Sequence, residues 1–374
     1  MAKKVIIAGA GGIGRACALM LLEKYQNQIE ITLADINRAQ MEAAKKWISR
    51  GLNHQNPSID LFDLSKINID TWKPLMNLLL DCTPGRFATQ MARVAFRAQA
   101  HYANLTEWVK ATQDILQLTK EAPSAFALQT GLAPGFINLY SLKLIQHFKS
   151  KYPNVKPQTV KMRVGALSRY ASSPTYYAFT WSPEGVSAEY LNDSEVLHDF
   201  KCIRKPALSD REQLMIDGEL FEADLTSGGS ADLPQFFEDQ IQNLDYKSLR
   251  YPGHFDWAQE LIRETPQIDA ARLTSRFMER IPFHEEDRII IYVSVSGVED
   301  QKTVELVRHK EVLPLLKNQV YLSAIQRTTA AALAQTAELL LTDQFSGPLL
   351  QSDYPLDQFL NGSFIRDHYG DISF

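Results

Sequence analysis

The feature that most constrains this chain is a glycine turn set between a strand and a helix close to its start. Residues 3–8 run Lys-Lys-Val-Ile-Ile-Ala, a short β-branched stretch of the kind buried on both faces of a parallel sheet. Gly9, Gly11 and Gly14 follow at once in Gly-x-Gly-x-x-Gly spacing, with Gly12 and Ile13 between them. Residues 13–25 then carry the Ala- and Leu-rich pattern of a buried helix. Each glycine has a separate physical role. Gly9 makes the tight turn, Gly11 lets backbone amides approach a pyrophosphate, and Gly14 lets helix and strand pack closely. The helix N-terminus then faces the phosphates.

A second apolar strand, residues 29–34, ends at Asp35, about 20 residues past the last glycine, where a carboxylate can accept hydrogen bonds from the adenosine ribose hydroxyls. The expected cofactor is NAD. NADP is less favoured because its 2′-phosphate meets the Asp35 charge, a repulsion that Arg38 offsets only in part. The alternation continues with strands at 59–64 and 75–82, a helix at 87–99, a strand at 101–105, a helix at 108–120 and a strand at 126–129. Asp63 and the Thr83-Pro84-Gly85 turn fall at strand ends, the edge of an open sheet where ligands bind, and Asp63, Thr83 and Pro84 are assigned to the cofactor. A simple turn explains Thr83-Pro84-Gly85 equally well.

A chain of 374 residues exceeds what one hydrophobic core usually absorbs, so two domains are expected. Gly131-Leu-Ala-Pro-Gly135 breaks the pattern, and beyond it short β-rich runs at 160–164, 176–181 and 289–296 suggest an α+β domain. The expectation is a Rossmann dinucleotide-binding domain over residues 1–125, a mixed-sheet substrate domain over 126–320, and a long amphipathic helix at 323–341. The fold class is α/β. With 39 Lys plus Arg against 44 Asp plus Glu, the net charge of -5 gives no electrostatic reason to expect nucleic acid. No apolar run is long enough to span a bilayer, so no membrane role is expected. Three scattered cysteines argue against a disulfide framework. Residues 1–9 already read as a strand and leave no room for a leader, so a cytoplasmic protein is expected.

The segment Ser248-Leu-Arg-Tyr-Pro-Gly-His254 resembles the Leu-Arg-Tyr-Pro-Gly-His signature of the saccharopine dehydrogenase-like family, which includes saccharopine reductases and lysine 6-dehydrogenases. Gly131 to Gly135 followed by Asn138 is similar to that family's Gly-Leu-x-Pro-Gly element, and Thr180-Trp-Ser-Pro-Glu-Gly185 resembles its Ser-Trp-Ser-x-x-Gly element. The resemblance implies NAD(P)-dependent oxidation or reduction of a C–N bond in a lysine-derived amino acid. It also implies cofactor contacts at Gly131 and Pro134, a substrate contact at Trp181, a return of residues 320–374 to the first domain, and a homodimer through the second. Glu184 departs from the pattern, since saccharopine reductases carry arginine near that position and Glu184 would repel a substrate carboxylate.

His254 is the first candidate for proton transfer, because its unperturbed pKa lies near the working range; apart from the family resemblance, a histidine after Pro-Gly more often caps a turn through its ring nitrogens. Arg250 suits a bidentate clamp on a substrate carboxylate or a surface ion pair, and Tyr251 a substrate hydrogen bond or an amphipathic wall. Glu107 can hold an ammonium group or, with Thr106, start a helix. Ser227 and Gly228, in Thr226-Ser-Gly-Gly-Ser230, offer backbone amides to an anion or form a flexible turn. His284-Glu-Glu-Asp287 lacks ligand-spaced partners and reads as the solvated start of a strand, so no metal is expected. Two other functions stay open on the sequence: a carboxylated-polyamine dehydrogenase of the carboxynorspermidine type, and a nucleotide-binding regulator without chemistry.

Overall fold

The computed structural model describes residues 2–53, 58–284, 286–342 and 345–372. The chain forms two compact units, the first comprising residues 1–132, 315–322 and 326–372, the second residues 133–314 and 323–325.

The first unit is a parallel sheet with connecting helices. Its strands β1 (Lys3–Ala8), β2 (Ile29–Asp35), β3 (Ile59–Asp63), β4 (Leu78–Asp81), β5 (His101–Asn104) and β6 (Ala125–Ala127) join Gly347–Leu349 in the order Gly347–Leu349, β6, β5, β4, β1, β2, β3. Every neighbouring pair is parallel. Chain progression reverses between β1 and β4, and in open α/β sheets the crevice outside the carboxyl ends at such a point takes the ligand. The connecting helices are α1 (Gly12–Tyr25), α2 (Arg38–Gly51), α3 (Ala88–Ala98) and α4 (Val109–Thr119). Leu79 of β4, Met91 and Val94 of α3, Tyr102 of β5 and Phe126 of β6 pack in one buried cluster, which explains why these strands read as continuous apolar runs.

Two local expectations are corrected here. The last strand of the first half was expected at 126–129 but ends at Ala127, and Gln129 turns away with φ +60°. Gly347-Pro348, which the sequence pattern places just beyond the helix at 323–341, starts a strand in which Gly347 lies opposite Ala125. A three-residue strand carries no usable periodicity, and its proline is tolerated because it sits at a sheet edge.

The second unit is built on a mixed sheet. Its strands are β7 (Thr159–Ser168), β8 (Ser194–His198), β9 (Lys201–Lys205), β10 (Glu212–Ile216), β11 (Glu219–Leu225), β12 (Asn243–Arg250), β13 (Asp287–Glu299) and β14 (Lys302–Val312). The order is β10, β11, β12, β7, β13, β14, with the β8–β9 hairpin set against β12. Among the described strands of this sheet only β7 and β12 pair in parallel. The alternation of β12 puts Leu249, and then Tyr251, in a cluster with Leu167, Phe221 and Ile290, and turns Arg250 to the opposite face. On β7, the buried Arg163 donates through Nε to Glu212 and through Nη1 to Asp245, each at 2.6 Å. Burial opposes the Glu212 charge, but Arg163, Lys161 and Lys247 outweigh it and hold the carboxyl down at about 2.

The run at 176–181 is not a strand. Tyr176 has φ +48°, and Phe179 makes an isolated bridge to Phe283. Its apolar alternation comes from aromatic side chains that fill the core beside Phe255 and Phe277, and its Tyr176 and Phe179 amides donate to the Ser172 and Pro282 carbonyls rather than to a ladder of a neighbouring strand. The strand start at 284–287 is likewise only half solvated. His284 and Glu286 are exposed and Glu285 lies outside the described residues, but Asp287 is fully buried and accepts the first amides of the helix Ala324–Leu340, from Ala324 and Ile325. Among the described residues no helix is long and apolar enough to cross a membrane.

Candidate functional site

The glycine turn of the first unit is sterically committed. Gly9 has φ +92°, and its N–H donates to the Ala34 carbonyl at 2.8 Å. A Cβ on Gly9 would lie 2.5 Å from the Cys82 carbonyl oxygen, and one on Gly14 would lie 2.0 Å from the Gly9 oxygen. Gly11 differs: a Cβ there would meet only the Gln40 Nε2, at 3.6 Å. Gly12 and Ile13 begin α1, whose first turn contains no acid, so no carboxylate of the helix itself competes for its first amides. Asp35, at the end of β2, accepts from Ala10 N at 2.8 Å through Oδ2 and from Asn37 N at 2.9 Å through Oδ1. The carboxylate is thereby fixed beside the turn, and the donor set fits a dinucleotide: amides for the diphosphate, a carboxylate for a ribose diol.

Arg38 has an exposed side chain and sits 3.9 Å from Glu42, one turn along its own helix. Asp63 pairs in register with Asp35, so both carboxylates stand at neighbouring strand ends. Hydrogen bonds from Ser65, together with Lys66, outweigh desolvation and lower the Asp63 pKa.

Thr83 and Pro84 follow β4 and are organised by Asp81, a residue that no sequence motif marks. Asp81 Oδ1 accepts from the Thr83 amide at 2.9 Å and its hydroxyl at 2.6 Å, and Oδ2 accepts from Tyr102 at 2.8 Å. Burial pushes the Asp81 carboxyl up to about 6 despite these donors. Folded Asp81 therefore binds its proton more tightly than the unfolded chain does, and its contribution to stability falls as pH rises from about 4 to 6. The isosteric Asp81→Asn change removes this pH dependence. Its stability relative to wild type should rise by about 1 kcal/mol between pH 5 and pH 7. Denaturant midpoints at the two pH values test this, and a constant or falling difference would show that Asp81 is ionised throughout.

In the second unit the structure brings Arg250 and His254 together through a residue the sequence did not mark. Arg250 Nε donates to the Tyr190 hydroxyl oxygen at 2.9 Å, and Tyr190 meets His254 Nε2 at 2.9 Å. His254 Nδ1 lies 2.7 Å from the Thr175 carbonyl, which can only accept. The direction of every proton follows: Nδ1–H points to Thr175, Nε2 accepts from Tyr190, and the Tyr190 oxygen accepts from Arg250. Burial, reinforced by the Arg250 charge, drives the His254 pKa down to about 3. His254 is neutral at physiological pH, with both ring nitrogens engaged. Arg250 is buried over the Tyr177 ring at 4.6 Å; desolvation opposes its charge, but Tyr190, Tyr177 and Glu189 more than offset this. Its Nη1 donates to the Leu249 carbonyl, and Nη2 makes no hydrogen bond among the described residues.

The other candidates divide. Trp181 packs at the edge of the aromatic cluster that contains Tyr177, Tyr190 and Phe255, next to Arg250 and His254. Tyr251 is not with them: its hydroxyl donates to the Ser168 carbonyl at 2.9 Å and accepts from Arg288 on the other face of the sheet. The Ser227 amide is already donated to the Glu189 carbonyl and its hydroxyl to the Asp193 carbonyl, so Ser227 and Gly228 form a bonded, largely buried turn rather than a flexible one. Thr106 Oγ1 accepts from Trp108 N at 3.2 Å just before α4, and the half-buried Glu107 lies between them. Gly131 is buried in the first unit, and Pro134 lies at the start of the second. Asn138 links two turns of the second unit, accepting from Gly135 N and donating to the Gly229 carbonyl. Among the described residues no group of three potential metal ligands is found.

Residues 5–128 match the family model described as the saccharopine dehydrogenase NADP binding domain, and residues 131–352 match the saccharopine dehydrogenase C-terminal domain. The chain belongs to the saccharopine dehydrogenase family. A relative from Pyricularia oryzae, named saccharopine dehydrogenase [NADP(+), L-glutamate-forming], is 24% identical over 309 residues. That match covers 80% of this chain but only 65% of the relative. The fold is similar to that of apo saccharopine dehydrogenase (L-Glu forming) from Saccharomyces cerevisiae, with a TM-score of 0.69, 16% identity and 98% of each chain covered. It is also similar to the homospermidine synthase from Legionella pneumophila in complex with NAD, with a TM-score of 0.70 and 11% identity, over 99% of this chain and 90% of that one.

Proposed function

We propose that this chain is an NAD(P)-dependent oxidoreductase that acts on a C–N bond of a lysine-derived amino acid, with NAD preferred to NADP. The observation that carries the reading is the Asp35 carboxylate bonded to Ala10 inside the glycine turn, in a chain whose Pyricularia oryzae relative is named a saccharopine dehydrogenase. Gly12, Ile13 and Gly14 would bind the pyrophosphate through the first amides of α1, Gly9 and Gly11 would shape the turn that lets it approach, Asp35 would grip the adenosine ribose, and Thr83 and Pro84 would border the nicotinamide end. The family model and the relative are both named for NADP. Against this, the preference for NAD rests on the fixed Asp35 charge, which repels a 2′-phosphate, and on Arg38 lying toward Glu42.

The bound nicotinamide supplies the hydride acceptor. The second unit carries substrate recognition and the contact between two copies of a homodimer. Arg250 offers a fixed, planar cation to the substrate carboxylate, and Tyr190 with His254 holds its guanidinium in plane. His254 acts as a positioning residue, because a ring held neutral with both nitrogens engaged is a poor proton carrier. Glu184, in the first turn of the Pro183–Leu191 helix, favours an amine with one carboxylate over a dicarboxylic one. The protein works in a reducing compartment such as the cytoplasm, in keeping with Cys17, Cys82 and Cys202 as free thiols.

A spectrophotometric screen for NADH and NADPH formation across lysine, saccharopine, other opines and carboxylated polyamines tests the reading. Turnover is expected with a lysine-derived amino acid and faster with NAD; silence on every substrate would defeat the enzyme assignment. Asp35→Ala should weaken NAD roughly 10- to 100-fold, the value of hydrogen bonds to a charged group, while NADP changes far less. An equal loss for both would remove the basis for the cofactor preference.

A further inference from the structure

The turn that receives the pyrophosphate has a wall that no local motif encodes. A Cβ built on Gly12 would lie 2.6 Å from the Gln326 Nε2, 3.4 Å from its Cδ and 3.5 Å from its Cγ. The carboxamide end of Gln326 therefore lies along the open side of Gly12, the first residue of α1. It arrives there from the other end of the chain, on the helix Ala324–Leu340. On the preceding glycine the nearest group is again a carboxamide nitrogen, Gln40 Nε2, 3.6 Å from where a Gly11 Cβ would be. Arg15, the cation in the first turn of α1, lies with its guanidinium 4.7 Å from the centre of the Trp47 ring. The side-chain donors nearest these two glycines are thus neutral amides.

We propose that Gln326 is a cofactor-binding residue that donates from Nε2 to a pyrophosphate oxygen of the dinucleotide, and that Gly12 lacks a side chain in order to leave room for it. The proposal rests on the pyridine-nucleotide reading of the first unit. An amide donor adds a hydrogen bond to those of the α1 N-terminus, and a bond to an ionised oxygen is stronger than one between neutral partners. The geometry also separates Gly12 from Gly9 and Gly14. A Cβ at Gly12 meets the far end of a flexible side chain, whereas at the other two it meets backbone. Gly12→Ala should therefore fold and simply push the Gln326 carboxamide aside.

The test is NADH affinity of the full chain, read by fluorescence titration, for Gln326→Ala, Gly12→Ala and the double variant, with the thermal midpoint of each measured without cofactor. Gln326→Ala is expected to weaken NADH about 10-fold or more, the usual loss for a hydrogen bond to a charged group, at a temperature where its measured midpoint shows it fully folded. Gly12→Ala should lose a similar factor, and the double variant no more than the worse single one, because both changes remove the same contact. Gln326→Glu should lose more than Gln326→Ala, since it sets a negative charge against the phosphates. Wild-type binding with undiminished affinity in Gln326→Ala, or losses that multiply in the double variant, would overturn the proposal alone. Failure of the wild type to bind either NADH or NADPH would overturn the cofactor reading and the proposal with it.

Discussion

Gly14→Ala is expected to abolish measurable NADH binding and to destabilise the first unit by about 3 kcal/mol, the upper part of the usual range for an overpacked site. The added methyl group would sit 2.0 Å from the Gly9 carbonyl oxygen. That oxygen belongs to a residue with no freedom to retreat. Gly9 is held by its hydrogen bond to Ala34, has a left-handed φ, and would itself strike Cys82 if it carried a Cβ. The strain must therefore pull α1 away from β1, which misplaces the amides meant for the pyrophosphate. A loss of about 3 kcal/mol corresponds to a fall of roughly 6–12 °C in the thermal midpoint of a unit this size. Calorimetry and fluorescence titration read both effects, and a variant that keeps wild-type affinity would show that helix and strand need not approach so closely. The contrast with Gly12→Ala is the sharper part of the test, because the two substitutions differ by two positions and by what their methyl groups meet.

Arg250→Met should lower kcat/KM roughly 1000-fold, the value of two charge-assisted hydrogen bonds to a substrate carboxylate, while leaving NADH affinity close to wild type. Stability should also fall, by about 1–3 kcal/mol, because the buried Tyr190 hydroxyl and Leu249 carbonyl lose their donor, so the rate is compared at a temperature where the variant is folded. Arg250→Lys should not restore the rate, because an ammonium has no planar fork to share between Tyr190 and substrate. His254→Asn should lower kcat through a looser Tyr190 but leave the acid limb of the pH–rate profile in place, since His254 stays neutral until about pH 3. Unchanged kcat/KM in Arg250→Met would remove Arg250 from substrate recognition. An acid limb that disappears in His254→Asn would return His254 to proton transfer.

Local order was readable where a residue's role depends on its immediate neighbours in the chain. The β1 run, the glycines at 9, 11 and 14, and Asp35 at the end of β2 all act within one strand–turn–helix–strand unit, so spacing alone carries their geometry. The run at 176–181 misled because apolar alternation marks burial, and a loop packed into an aromatic cluster is buried in the same way as a strand. Gly347–Leu349 was hidden for the opposite reason, being too short to show a period.

Partnership across long stretches of chain belonged to the tertiary structure. Tyr190 lies 60 residues before Arg250 and 64 before His254, and no pattern around it tells that its hydroxyl joins the two. The same holds for Gln326 against Gly12. Sequence alone determined that this chain builds a nucleotide-binding turn with an acid beside it, because those groups are positioned by backbone geometry over a few residues. Packing alone decided that His254 is neutral, that Arg250 is a buried cation with an edge to spare, and that Tyr251 faces the other way. A pKa and a free donor depend on burial and on which distant groups arrive nearby, and neither exists until the chain has closed on itself.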